Sequence, residues 1–142
     1  MDDFYLLGTL PLLDGAVVQA LIAQVITNRD PDSPPPFIVY LGLGTGWWRL
    51  FSDGPHLYAK FVFEPPEAWE APQEGFAVHL RDLGHILNLQ GRALRGWSYG
   101  VHGDAPSLTL NFQDGQQITF SGEGEGFTSY TLATWHLNPP AS

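Results

Sequence analysis

The chain contains no cysteine. That excludes a disulfide framework and any thiolate-ligated zinc, so packing and hydrogen bonds have to hold the fold whatever the redox compartment. Positive charge is nearly as scarce: six Lys and Arg stand against 15 Asp and Glu, for a net charge of -9. This balance repels phosphate backbones at long range and gives no general attraction to anionic lipid, so any nucleic-acid contact has to be local. No apolar run approaches the ~20 residues of a membrane span, and Asp2 and Asp3 sit where a secretory signal carries positive charge. A soluble cytoplasmic protein with no membrane partner is expected. The parts of nucleophilic catalysis are missing too: there is no thiol, no G-x-S-x-G elbow and no serine beside a base. These absences point to a non-enzymatic protein without a cofactor.

Hydrophobic residues make up 44% of the 142 positions and charged residues only 15%, with 16 Gly and 12 Pro. The surface must therefore be largely neutral, and the glycines and prolines imply many turns. The length is that of one domain.

Residues 75 to 89, "GFAVHLRDLGHILNL", change hydrophobic period without a turn between. Phe76, Val78 and Leu80 alternate as in a strand, whereas Leu83, Ile86, Leu87 and Leu89 recur at helical spacing behind Asp82, a candidate N-cap. A strand running directly into a helix over 81–90 is the reading. Earlier, "FYLLGTL" (4–10) reads as a strand, and 13–26 carries Val17, Ala20, Leu21, Gln24 and Val25 at helical spacing behind Asp14. "FIVYL" (37–41), "WWRLFS" (47–52) and "HLYAKFVF" (56–63) then read as strands joined by Gly-rich or Asp-Gly turns. After the Pro/Glu-rich connector 64–74 the order repeats, with strands at 93–101, 107–112, 116–121 and a further one at 127–135. "FSDG" (51–54) and "FQDG" (112–115) mark matching hairpin turns. The predicted fold class is α+β: one domain, 1–142, made of two β-α-β-β-β half-repeats at about 4–63 and 75–135. Two helices would lie on one face of antiparallel sheets, with Leu21, Val25, Leu83, Ile86 and Leu87 in the core.

This tandem unit resembles one domain of the DNA sliding clamps, the processivity-factor family. "GFAVHLRDLGHIL" is similar to the clamp segment in which a strand enters a helix without a loop. "SLTLNFQDGQQITFSGEGEGFTSYTL" is similar to the run of strands that ends a clamp domain. The resemblance implies that both helices face DNA inside a ring of such domains. Segment 13–26 has no basic residue, so DNA contact would be weak and confined to Arg81, Arg92 and Arg95.

Other candidate sites have bland readings. Gly42, Gly44 and Gly46 precede a strand rather than a helix, which suits a hairpin and not a dinucleotide fingerprint. His79 and His85 lack a third ligand nearby, so no metal site is expected. Glu123 and Glu125 on a glycine loop read as solvated acids. Trp47 and Trp48 must point to opposite faces of their strand, so at least one is a candidate interface residue. The final strand has no Pro, Lys or charge, which makes Tyr130 and Leu132 candidates for pairing with another chain. Two functions follow as expectations. One is a clamp-like scaffold that self-assembles or docks on a DNA replication, repair or defence complex. The other is a small acidic inhibitor or immunity-type protein that covers a basic site on its partner.

Overall fold

Residues 20–27, "ALIAQVIT", are apolar on both alternating sets, Leu21, Ala23 and Val25 on one and Ile22 and Ile26 on the other. Such a segment suits a strand buried on both faces as well as it suits a helix, and periodicity alone does not distinguish them. The computed structural model, which describes residues 5–7, 12–27, 35–44, 46–71, 73, 75–102, 105–122 and 124–134, makes it a strand. Eleven strands and one helix form among the described residues. They are β1 (Tyr5–Leu7), β2 (Ala20–Thr27), β3 (Phe37–Gly42), β4 (Trp47–Asp53), β5 (His56–Val62), β6 (Trp69–Ala71), β7 (Phe76–Asp82), α1 (Leu83–Ile86), β8 (Leu94–His102), β9 (Ala105–Phe112), β10 (Gln116–Ser121) and β11 (Ser129–Thr134). A seven-stranded sheet has the order β1-β5-β4-β3-β2-β7-β6, and a four-stranded sheet the order β11-β10-β9-β8. All pairs are antiparallel except β1 with β5.

The α+β expectation is therefore corrected to a mostly β fold, and the duplicated unit with two helices on one face does not form. Where the first helix was expected, β2 lies between β3 and β7 and gains hydrogen bonds on both edges. Those two ladders outweigh the weak helical preference of a segment rich in β-branched residues. The second helix is real but spans only Leu83–Ile86. Asp82 caps it as expected, accepting from the His85 N–H at 3.1 Å. Asn88, at φ 56, takes the left-handed conformation just beyond its end, and the chain turns so that the Gly91 N–H reaches the Val18 carbonyl at 2.8 Å. Leu83 and Leu89 are buried as a result, whereas Ile86 is 53% exposed. Leu21 is in the core, and Val25 and Leu87 pack against it.

One core fills the space between the sheets: Leu21, Val39, Leu41, Leu50 and Leu57 from the large sheet meet Leu108, Leu110, Phe112, Ile118 and Phe120 from the small one. The opposite face of the small sheet carries Ser98, Ser107, Thr109, Thr119, Ser121 and Thr131 in register. Thr109 and Thr119 share a hydroxyl hydrogen bond of 2.8 Å, and Ser121 and Ser129 one of 3.1 Å. Ser98 and Thr131 are exposed on this face, whereas Ser107 and Ser121 are buried.

Two backbone stitches join the sheets. At one end Phe37 and Phe127 exchange both hydrogen bonds, at 2.8 and 2.9 Å, and the Gly126 N–H donates to the Ser52 carbonyl at 2.6 Å. Ser52 is fully buried and returns a bond from its hydroxyl to the Gly126 carbonyl at 2.8 Å. At the other end Gly15 and Leu94 exchange with the opposite segment through Gly15 N–H to Leu94 carbonyl, 2.8 Å, and Leu94 N–H to Ala16 carbonyl, 2.7 Å. Phe127 is fully buried, with ring centroids 6.0 Å from Phe37 and 5.6 Å from Phe120. Phe127→Ala is expected to lower unfolding free energy by ~3–5 kcal/mol in urea denaturation, through lost burial and the cavity left behind. Gly126→Ala is expected to destabilise as well, because φ is +84 and the new Cβ would lie 3.2 Å from the Phe37 carbonyl oxygen. Wild-type stability in either variant would show that the stitch is dispensable.

Candidate functional site

The outer face of the large sheet is the most chemically varied surface among the described residues. Alternation along β4 sends Leu50 and Ser52 inward and Trp47, Arg49 and Phe51 outward. Register then places Lys60, Arg49, Tyr40 and Ile22 side by side across β5, β4, β3 and β2, with Tyr58 next to Phe51 in the adjacent row. Phe51 and Tyr58 stack with centroids 4.7 Å apart and planes 7° from parallel. The Arg49 guanidinium carbon sits 5.1 Å from the Phe51 centroid and 6.0 Å from that of Tyr40, so the cation is held by ring faces. The Lys60 ammonium is 5.6 Å from the Tyr58 centroid. Trp47 closes the cluster edge-on to Tyr40 at 6.4 Å.

Residues 63–68 lead from β5 to β6 and act as a strap across this face. Pro66 is buried, and Gln24 Nε2 donates to the Glu67 carbonyl at 3.0 Å. The covered Tyr40 is only 8% exposed. Beside the strap lies an open, mainly polar cavity of about 290 Å³, lined in part by Gln24, Tyr40, Arg49, Glu64, Glu67 and Trp69. Arg49 forms no hydrogen bond or ion pair with another described residue, and its Nε is buried without an acceptor. The signal for this cluster was present in "WWRLF", since residues two apart share a face, but the strap's path over it has no signature in the sequence.

The residues singled out from sequence are dispersed. Trp47 faces outward and Trp48 inward, as alternation demands, and both are half-buried; Trp48 meets Phe61 edge-on at 5.3 Å. Tyr130 packs against the core, 6.5 Å from Phe37, whereas Leu132 is 51% exposed. Arg81 is the penultimate residue of β7 and is exposed, and Arg95 is the extra residue of a bulge between Leu94 and Gly96. Arg92 is ion-paired to Asp114 and also donates to the Asn88 carbonyl, so its charge is committed locally. His79 and His85 are exposed, and no group of three or more His, Asp or Glu capable of holding a metal occurs among the described residues. Glu125 is exposed beside Asp53, and Glu123 lies outside the described residues, as does Trp135. Gly46 has a packing role, since a Cβ there would lie 2.3 Å from the Phe61 ring.

No protein-family model, curated protein or solved structure matches the chain.

Asp114 holds the turn between β9 and β10. The Gln116 N–H, 3.0 Å from its carboxylate, does most to keep its pKa below the ordinary 3.8, desolvation opposes this, and Arg92 adds to the lowering. A depressed folded-state pKa contributes stability above the unfolded carboxyl value, and that contribution is lost as pH falls through the folded value. In a carboxyl NMR titration Asp114 is expected to show a midpoint below 3.8. Arg92→Met should move it only part of the way back, because the Gln116 bond remains. A midpoint at the ordinary value in the wild-type chain would contradict this.

Proposed function

We propose that this chain is a non-enzymatic scaffold that joins a second copy of itself through β11. The observation that carries the reading is the edge itself: among the described residues β11 pairs only with β10, and its six residues contain no Pro and no charge. An unprotected edge of this kind is a template for another strand. Leu132 adds an exposed apolar side chain, and it shares a shallow cavity with Leu87 and Gln116. Antiparallel pairing about a two-fold axis near Leu132 brings the Leu132 side chains of both copies to one face and continues the small sheet across the pair. The seam is neutral, so two chains of net charge -9 meet where neither carries charge.

The sliding-clamp resemblance was built on paired helices, and a strand now occupies residues 20–27. The scaffold reading therefore rests on the edge strand and not on a ring around DNA. The acidic-inhibitor reading has one observation of its own: Glu64, Glu67 and Glu70 are all exposed along and just after the strap.

Light scattering across a concentration series is expected to show a monomer–dimer equilibrium. Dimer should increase with salt, because salt screens the repulsion between like-charged chains and leaves a neutral seam untouched. Leu132→Lys should be monomeric with an unchanged circular dichroism spectrum. A wild-type chain that stays monomeric at every concentration sinks this reading. A complex with a basic protein that weakens with salt would favour the inhibitor instead.

A further inference from the structure

The cavity beside the strap has a composition that selects among ligand chemistries. Its charged lining is one cation, Arg49, and two acids, Glu64 and Glu67. Arg49 forms no ion pair with either acid, whereas Arg92 is paired with Asp114 elsewhere. An anionic ligand would meet two carboxylates on a chain of net charge -9, and a cationic one would meet a guanidinium already seated between two rings. A neutral ligand that both accepts and donates hydrogen bonds is favoured by every wall. Arg49 offers N–H donors, the two carboxylates accept, and Gln24, whose Nε2 is bound to the Glu67 carbonyl, presents its Oε1 as a further acceptor. Trp69, 49% exposed at the rim, supplies a flat apolar face.

We infer that this cavity is a binding site for a neutral saccharide, with one sugar ring laid against Trp69 and its hydroxyls shared between Arg49 and the strap glutamates. A sugar matches the lining because its ring has an apolar C–H face and a rim of hydroxyls, each both donor and acceptor. At about 290 Å³ the cavity is at the small end of ligand sites, which suits one ring of a saccharide rather than a larger ligand. The rings of Tyr40 and Phe51 fix the guanidinium before the ligand arrives, so little side-chain freedom is lost on binding. The strap then serves as one wall of the site, held by Pro66 and by the Gln24 bond. This site is on the opposite sheet from β11 and does not depend on self-association.

The test is titration of the full chain with glucose, galactose, mannose, N-acetylglucosamine and their β-1,4-linked disaccharides, followed by tryptophan fluorescence and calorimetry. At least one is expected to bind with Kd of about 0.1–5 mM. Trp69→Ala and Arg49→Met should each weaken it by about tenfold or more. Glu64→Gln and Leu132→Lys serve as the arms that separate site from fold: the first should weaken binding and the second leave it unchanged. If Arg49→Met does not fold, Trp69→Ala and Glu64→Gln still decide the matter. Tighter binding of a disaccharide than of its monomer would identify a polymeric glycan as the source of the ring, and equal binding a free sugar. Absence of saturable binding to any of these sugars overturns the inference. So does tighter binding of inorganic phosphate or of tetramethylammonium, or retention of sugar binding in both Trp69→Ala and Glu64→Gln.

Discussion

The pair of backbone hydrogen bonds exchanged by Phe37 and Phe127 is the constraint on which the rest of the architecture depends. Each sheet is held internally by its own ladders, but a ladder does not position one sheet against another. The Phe37–Phe127 exchange does so, and it draws Gly126 under Ser52 and Gly124 beside Gly54. Glycine is required at 126 because the loop must take a positive φ while passing close to the Phe37 backbone. With the two chains locked there, Phe37, Phe120, Phe127 and Tyr130 close into one aromatic cluster. That cluster is also why Tyr130 is half-buried while Leu132, two residues further along β11, is left to solvent.

The scarcity of charge shapes both outer faces. On the small sheet, hydroxyls hydrogen-bond to one another in place of ions. On the large sheet, the few cations are spent on rings: Arg49 and Lys60 both lie over aromatic faces. A guanidinium held in this way keeps its charge while losing mobility, which sets Arg49 apart from the exposed Arg81 and from Arg92 with its Asp114 partner. The two proposed surfaces follow from this economy. One is an edge with no charge to repel a copy of itself, and the other is a cavity whose opposite charges form no ion pair with one another.

Much of the strand layout was legible, because hairpins announce themselves locally. Alternation and Asp-Gly turns place strands at 37–41, 47–52, 56–63, 93–101, 107–112 and 116–121, each within a residue or two of the observed bounds. The Asp82 cap was legible for the same reason, since its partner is the His85 N–H three residues away. The helical spacing of residues 13–26 does not decide their structure, because their fate is set at a distance. Val25 opposite Phe37 on one side and His79 on the other makes the segment a central strand, and neither partner is visible from within it. The candidate site divides in the same way. Trp47 and Arg49 lie on one face by simple alternation, whereas the strap that brings Glu64 and Glu67 over them depends on where β6 finds β7.

The contrast between local ladders and distant stitches has a kinetic side. The meanders β3-β4-β5 and β8-β9-β10-β11 link neighbours in sequence, so each closes short loops and can form early. Insertion of β7 beside β2, and the meeting of Phe37 with Phe127, close much longer loops and gain their reward only at the end. Until then the inner faces of both meanders and the β7-facing edge of β2 are open together. Docking of the two meanders is therefore the step that depends on the longest loop closures, and the positive φ of Gly124 and Gly126 is what lets the chain make the turn that completes it.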